Sequence, residues 1–260
     1  MRLKTVPLLI YSGLAASYGQ PKRQTFDIVS VKPPPDHGQS YARRGCTGDR
    51  FRFSGMALTW LIRWAYDLPP TRIQGLPDWI TDWVNKNDSM YEIEAKAQGP
   101  VDDLQCKAMV RSLLEDRFRM TTRRETKEMR VYALTVSSKG AKLLEVKKGT
   151  TGKGAFFNGD PLLKRVSSAV AFTDPAPPGG VSMVELTDRL SAAPVVGLPV
   201  IDKTGLKGVY SFRLDFSVRE GDDRPAIAEA LEEQLGLKLV PTKAPIEVLV
   251  VDHIERPKPN

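Results

Sequence analysis

The stretch from Val200 to Glu255 constrains the fold more than any other, because each local rule in it agrees with the next. Tyr210, Phe212, Leu214 and Phe216 alternate with Ser211, Arg213 and Asp215, which predicts a half-buried strand with its apolar side chains on one face. Pro225 suits the first turn of a helix. Ile227, Leu231 and Leu235 then share one helical face, and Gly236 supplies a residue able to take positive φ at the end. Beyond it, Leu237 to Val240, a turn around Pro241 to Pro245, and Ile246 to Ile254 read as a hairpin. Its second strand is apolar on both faces and belongs inside a sheet.

Shifted back by 117 positions, this block fits residues 114 to 134: Leu114, Phe118, Met120, Met129 and Val131 fall on Leu231, Leu235, Leu237, Ile246 and Val248. Upstream, Tyr91, Ile93, Ala95 and Ala97 alternate with charged residues in the place of the Tyr210 strand. Helices over Ala57 to Asp67 and Val181 to Leu190 take matching places. The expected fold is α+β, in two related strand-helix-strand-helix-hairpin units with mainly antiparallel sheet covered by helices. The units span 20–140 and 181–260. Between them, residues 141–180 lose periodicity into Gly, Lys, Pro and Ser and read as a linker, with a strand pattern over Arg165 to Phe172.

The first 19 residues set the expected compartment. Arg2 and Lys4 precede an apolar run from Val6 to about Ala16, and Ser17 and Gly19 are small residues before a cut at Gln20. This reads as a secretory signal peptide over 1–19, and predicts a periplasmic or extracellular protein. No later segment is apolar enough for a transmembrane helix once the signal is removed. The formal charge is +7, or +5 without Arg2 and Lys4, with acidic residues spread among the basic ones. That pattern argues against nucleic acid as the partner and fits an anionic envelope surface better. Cys46 and Cys106 are the only cysteines. In an exported chain they suit one disulfide, while Cys106, on the helical face of Met109, Val110 and Leu113, suits a buried thiol equally.

Few motifs point to chemistry. His37 and His253 are the only histidines, and there is no HExxH or CxxC, so the sequence spells out no metal site and calls for no cofactor. Asp202-Lys203-Thr204-Gly205 copies the start of a phosphorylated-aspartate motif without the phosphate cradle that chemistry needs, and reads as a turn. Asp252 and His253, as neighbours on a strand, point to opposite faces. No catalytic residues are assigned. Trp60 and Trp64, and Trp79 and Trp83, are each spaced i, i+4. An exposed pair of indoles offers a stacking platform for a sugar ring or a peptide; the competing expectation is that they pack between helix and loop. Arg117, Arg119 and Arg123 fall on alternate positions of the expected hairpin, which suits either an anionic partner or a solvated edge. Asp78 and Asp82 lie beside the second tryptophan pair, where a glycan hydrolase would need two carboxylates.

Several segments together resemble a known family: FDIVSVKP, LTWLIRWAYDLP, IQGLPDW, YEIEAKA, LLEDRFRM with RETKEMRVYALTV, VIDKTGLKGVYSFRLDF and EALEEQLGLKLVPTKAPIEVLVVDHIERP. It is the large set of secreted proteins of unknown function expanded in soil Acidobacteria, some of which look like modules appended to membrane metallopeptidases of the antibiotic-sensor type. The resemblance implies export and no particular reaction. The function expected is therefore a non-catalytic binding or interaction module in the cell envelope, with an envelope protein, peptide or glycan as partner. The alternatives are an envelope glycan hydrolase using carboxylates near the tryptophans, and a sensory or inhibitory partner of a membrane peptidase.

Overall fold

The structure, a computed structural model, describes residues 23–33, 43–81, 89–147, 155–157, 180–217 and 223–258. In the first half β1 (Ile28–Lys32), β2 (Arg43–Thr47) and β3 (Arg50–Ser54) lead into α1 (Leu58–Tyr66). β4 (Ile73–Gln74), α2 (Asp78–Thr81), β5 (Glu92–Lys96), α3 (Asp103–Phe118) and β6 (Thr121–Val136) follow. The second half runs β7 (Leu144–Val146), β8 (Ala155–Phe157), β9 (Val181–Ser182), α4 (Met183–Ala192), β10 (Val200–Asp202) and β11 (Val209–Leu214). It ends with α5 (Ile227–Ala230), a π-helical turn Leu231–Leu235 and β12 (Leu237–His253). The fold is α+β with antiparallel pairing dominant, as the alternating and helical periodicities predict.

Among the described residues three sheets form: β1-β5-β3-β2, β10-β6-β12-β4, and β7-β11-β8 with β9 also on β11. The segment expected to link two units therefore contributes at least β7 and β8 to the second-half sheet. The strand pattern over Arg165 to Phe172 and the signal segment lie outside the described residues.

The hairpins expected after each helix do not form. β6 and β12 are each one long strand, and they pair antiparallel with each other from Val136↔Leu237 to Thr121↔His253, with a register shift between Val251 and His253. Pro241 and Pro245 do not turn the chain, for a reason set by the ladder. The Tyr132 amide donates to the Pro199 carbonyl on the β10 side, so Tyr132 and its cross-strand neighbour Pro241 face away from each other. Pro245, four residues on, has the same orientation. Both missing N–H groups fall on the outer edge of β12, where no ladder bond is lost. From Val248 to Val251 the strand is buried on both faces, and it lies between β6 and β4 at Leu249 and Val250.

This exchange of long strands completes two cores. One gathers Phe51, Phe53, Leu58, Leu61, Ile62, Ile93, Leu114 and Phe118 with Leu249, Val251 and Ile254 from the far end of the chain. The other gathers Leu186, Leu190, Leu214, Phe216, Leu231 and Leu237 with Leu134 from β6. Each core thus borrows apolar side chains from the other half's long strand.

Candidate functional site

The surface with the densest chemistry is the outer side of α1, next to β2 and the start of α3. On α1, Leu58, Leu61, Ile62 and Ala65 are fully buried, which leaves Trp60, Arg63 and Trp64 on the opposite side, half-buried. The helix ends at Asp67, whose left-handed backbone (φ 51°) lets its own N–H reach the carbonyl of Trp64 and the Leu68 N–H reach that of Arg63. α3 opens with a capping box in which Asp102 accepts from the Gln105 N–H at 2.8 Å and Gln105 accepts from the Asp102 N–H at 3.2 Å. β2 is tied to α3 by a disulfide between Cys46 and Cys106, whose sulfurs lie 2.01 Å apart. Of the two readings open for these cysteines, the structure adopts the bridge.

The indoles are engaged with cations and with the core. Trp64 stacks on Phe51 at 6.0 Å between ring centroids, and Phe51 in turn stacks on Phe26 at 5.7 Å. Arg44, two residues before Cys46, lies 5.9 Å from the Trp64 ring, and the Lys107 ammonium lies 5.7 Å from it. The Arg63 guanidinium sits over Trp60 at 4.4 Å. Trp79 packs against the first core with Arg256 5.3 Å above its ring. Trp83, the fourth tryptophan proposed for a stacking platform, lies outside the described residues.

Lys107 is already neutralised, by Asp67 at 2.7 Å and Asp103 at 2.8 Å, with 13% of its side chain exposed. Burial pulls its pKa down, but the hydrogen bonds to Asp103 and Asp67 outweigh that and hold it above its ordinary value. Arg63 differs. Among the described residues it donates no side-chain hydrogen bond, and its Nε is buried without an acceptor. Burial, aided by the positive charge of Arg44, holds the Arg63 guanidinium down to about 10.

The arginines expected to form one basic face do not share one. Arg117 closes α3 and donates to the Val29 carbonyl at 3.2 Å, and Arg119 caps that helix in the left-handed region. Arg123 alone of the three is on β6, ion-paired with Asp252 and with Glu125. The alternation expected for them fails because α3 runs to Phe118, so the first of the three is helical.

Asp78 is exposed at the start of α2, and Asp82 lies outside the described residues. His253 bonds to Glu255 at 2.8 Å rather than to Asp252. Asp202 accepts from the Thr204 amide and hydroxyl at 2.8 and 2.7 Å, the local turn its sequence predicts. No group of three metal-ligating side chains occurs among the described residues. No helix among them is long and apolar enough to cross a membrane.

The family model described as a protein of unknown function, DUF3738, matches residues 59–254, from α1 to the end of β12. The chain belongs to this family. The match takes in Trp60, Arg63, Trp64 and both long strands, and leaves β2 with Arg44 and Cys46 before its start. No curated protein and no solved structure matches the chain. Sequence patterning located the tryptophans. It missed Arg63, whose only signal was its place between them on the polar side of α1.

Proposed function

We propose that this member of the DUF3738 family is an exported, non-catalytic binding module of the cell envelope, and that its ligand or protein partner contacts the outer side of α1. The observation that carries this reading is the gathering of three cations, Arg44, Arg63 and Lys107, around the half-buried indoles of Trp60 and Trp64. Surfaces rich in tryptophan and arginine are where binding energy concentrates. Export is supported by the leader-like first 19 residues and by the Cys46–Cys106 bridge, a bond that persists in oxidising compartments.

We further infer that the two halves descend from one duplicated unit. In support, Tyr132 pairs with Val200 and Leu249 pairs with Ile73, and Tyr132 and Leu249 stand 117 positions apart, the same spacing that aligns the helices before them. A duplicated scaffold with its cationic aromatic surface confined to one half fits a module that presents a single binding face.

The test is thermal melting of the chain from Gln20 against cell-wall fragments, plant glycans and peptides. A ligand at about 100 times its dissociation constant adds about 2.7 kcal/mol, or about 5–10 °C at 2–4 °C per kcal/mol. The expected shift disappears when Trp60 and Trp64 are replaced by alanine. Binding that survives both replacements would move the site elsewhere. For export, a chain expressed in a bacterial host that keeps residues 1–19 and stays in the cytoplasm would overturn the localisation.

A further inference from the structure

We infer that Arg63, with Arg44 beside it, is an anchor for an oxyanion, a carboxylate or phosphate group carried by the ligand. This rests on the reading of the α1 face as a binding surface and adds the chemistry of what binds there. The first support is contrast. Arg23 pairs with Glu115 and Asp116, Arg123 with Asp252, Arg124 with Glu247, and Arg213 with Asp215. Arg72 and Arg111 donate to the carbonyls of Glu247 and Ala65. Arg63 has no such acceptor among the described residues, and the charge that acts on it, Arg44, is of the same sign. Half-burying a guanidinium that is not hydrogen-bonded costs stability, so its retention calls for a partner that arrives from outside.

Geometry supplies the second support. The guanidinium carbon sits 4.4 Å over the Trp60 ring and Nε is buried, which leaves the two terminal nitrogens as the donors for contact, and their N–H groups match a carboxylate or phosphate fork. One face of each indole is already taken, Trp60 by Arg63 and Trp64 by Phe51, so the tryptophans hold cations more than they offer open platforms. Lys107 is not part of the anchor, since Asp67 and Asp103 neutralise it. Arg44 is held in reach by the bridge two residues away, which ties its strand to α3. Burial and the like charge of Arg44 both oppose the charged form of Arg63, and an anion bound to the Arg63 guanidinium offsets both.

The experiment titrates the purified chain with sodium glucuronate, with inorganic phosphate and with glucose, at constant ionic strength, following tryptophan fluorescence and melting temperature. Glucuronate or phosphate is expected to bind, and the two arms tell a carboxylate source from a phosphate source. Arg63→Met is expected to raise the melting temperature of the unliganded chain and to weaken anion binding about tenfold or more. Arg63→Lys, which keeps the charge and loses the fork, should fall between. Anion binding unchanged in both variants, or absent from the wild-type chain, overturns the anchor. Binding of glucose as tight as glucuronate and indifferent to Arg63 would also overturn it while leaving the α1 face as a binding surface. Loss of all binding by the face, seen with the Trp60 and Trp64 replacements in the broader ligand panel, is the separate failure of the underlying reading.

Discussion

Each half runs from a helix through a short strand and a longer one to a second helix and a long strand, with α2 added between β4 and β5 in the first half, and the two differ most where the second helix ends. In the first half α3 is a regular 16-residue helix with a capping box, ending at Arg119 with φ 51°. In the second half its counterpart is four residues of α-helix and a π-helical turn, ending at Gly236 with φ 65°. Gly236 stands 117 positions after Arg119 and does the same job, but a Cβ there would collide with the carbonyl oxygen of Gly140. The first half alone holds the disulfide and all four tryptophans. The buried faces of the elements are alike in the two halves, whereas their ends and outward faces differ, and the cationic aromatic surface lies on the half that holds the disulfide.

The largest effect concerns independence. If each half were a unit by itself, residues 20–147 and 148–260 produced separately would each melt cooperatively. We expect neither to do so, with loss of essentially the whole of a typical ~5–15 kcal/mol, because each core needs the other half's long strand. Mixing the fragments should restore the transition, and a cooperative melt of either alone would show that the strand exchange is dispensable.

Next comes the covalent difference. Replacing Cys46 and Cys106 together by serine frees a loop with a sequence separation of 60. The expected cost is about 4 kcal/mol, read as a drop in melting temperature of about 8–16 °C. A drop of less than about 3 °C would mean that packing alone holds β2 on α3.

The helix ends offer a matched pair. Gly236→Ala should cost at least about 2 kcal/mol, because it adds left-handed strain to the collision with Gly140. Arg119→Gly should instead gain up to about 1 kcal/mol by relieving the same strain. Denaturant midpoints would check both signs, and equal effects would erase the distinction between the two ends.

The smallest effect is electrostatic. The folded pKa of Lys107 lies above its ordinary 10.5, so its contribution is fully present below that pH and is lost as pH rises through the raised value. At pH 7 Lys107→Met should cost about 1 kcal/mol or less, since both carboxylates are well exposed, and the gap to wild type should narrow at higher pH. A gap that widens there would reverse the assigned sign.

Much of the fold was legible in local pattern. The alternation of Tyr210, Phe212 and Leu214 and the stripe of Leu58, Leu61 and Ile62 describe buried faces that the structure reproduces residue by residue. The hairpins were not legible, since a Pro-rich interval between two apolar runs is the ordinary signature of a turn. Nor was the candidate site. The spacing of Trp60 and Trp64 marked the right face, but the arginine that matters was hidden among the 38 lysines and arginines of the chain.

Local pattern was enough to place the helices and the shorter alternating strands and to say which side of each is buried, because helix and strand periods act over a few residues. Long-range pairing settled which strand β6 and β12 would each find, and so whether Pro241 and Pro245 would break a strand or sit harmlessly on its outer edge. A missing N–H matters only if a partner faces it, and the partner is more than 100 residues away. The solitary charge of Arg63 has the same origin: a cation is paired or unpaired according to what folding brings beside it.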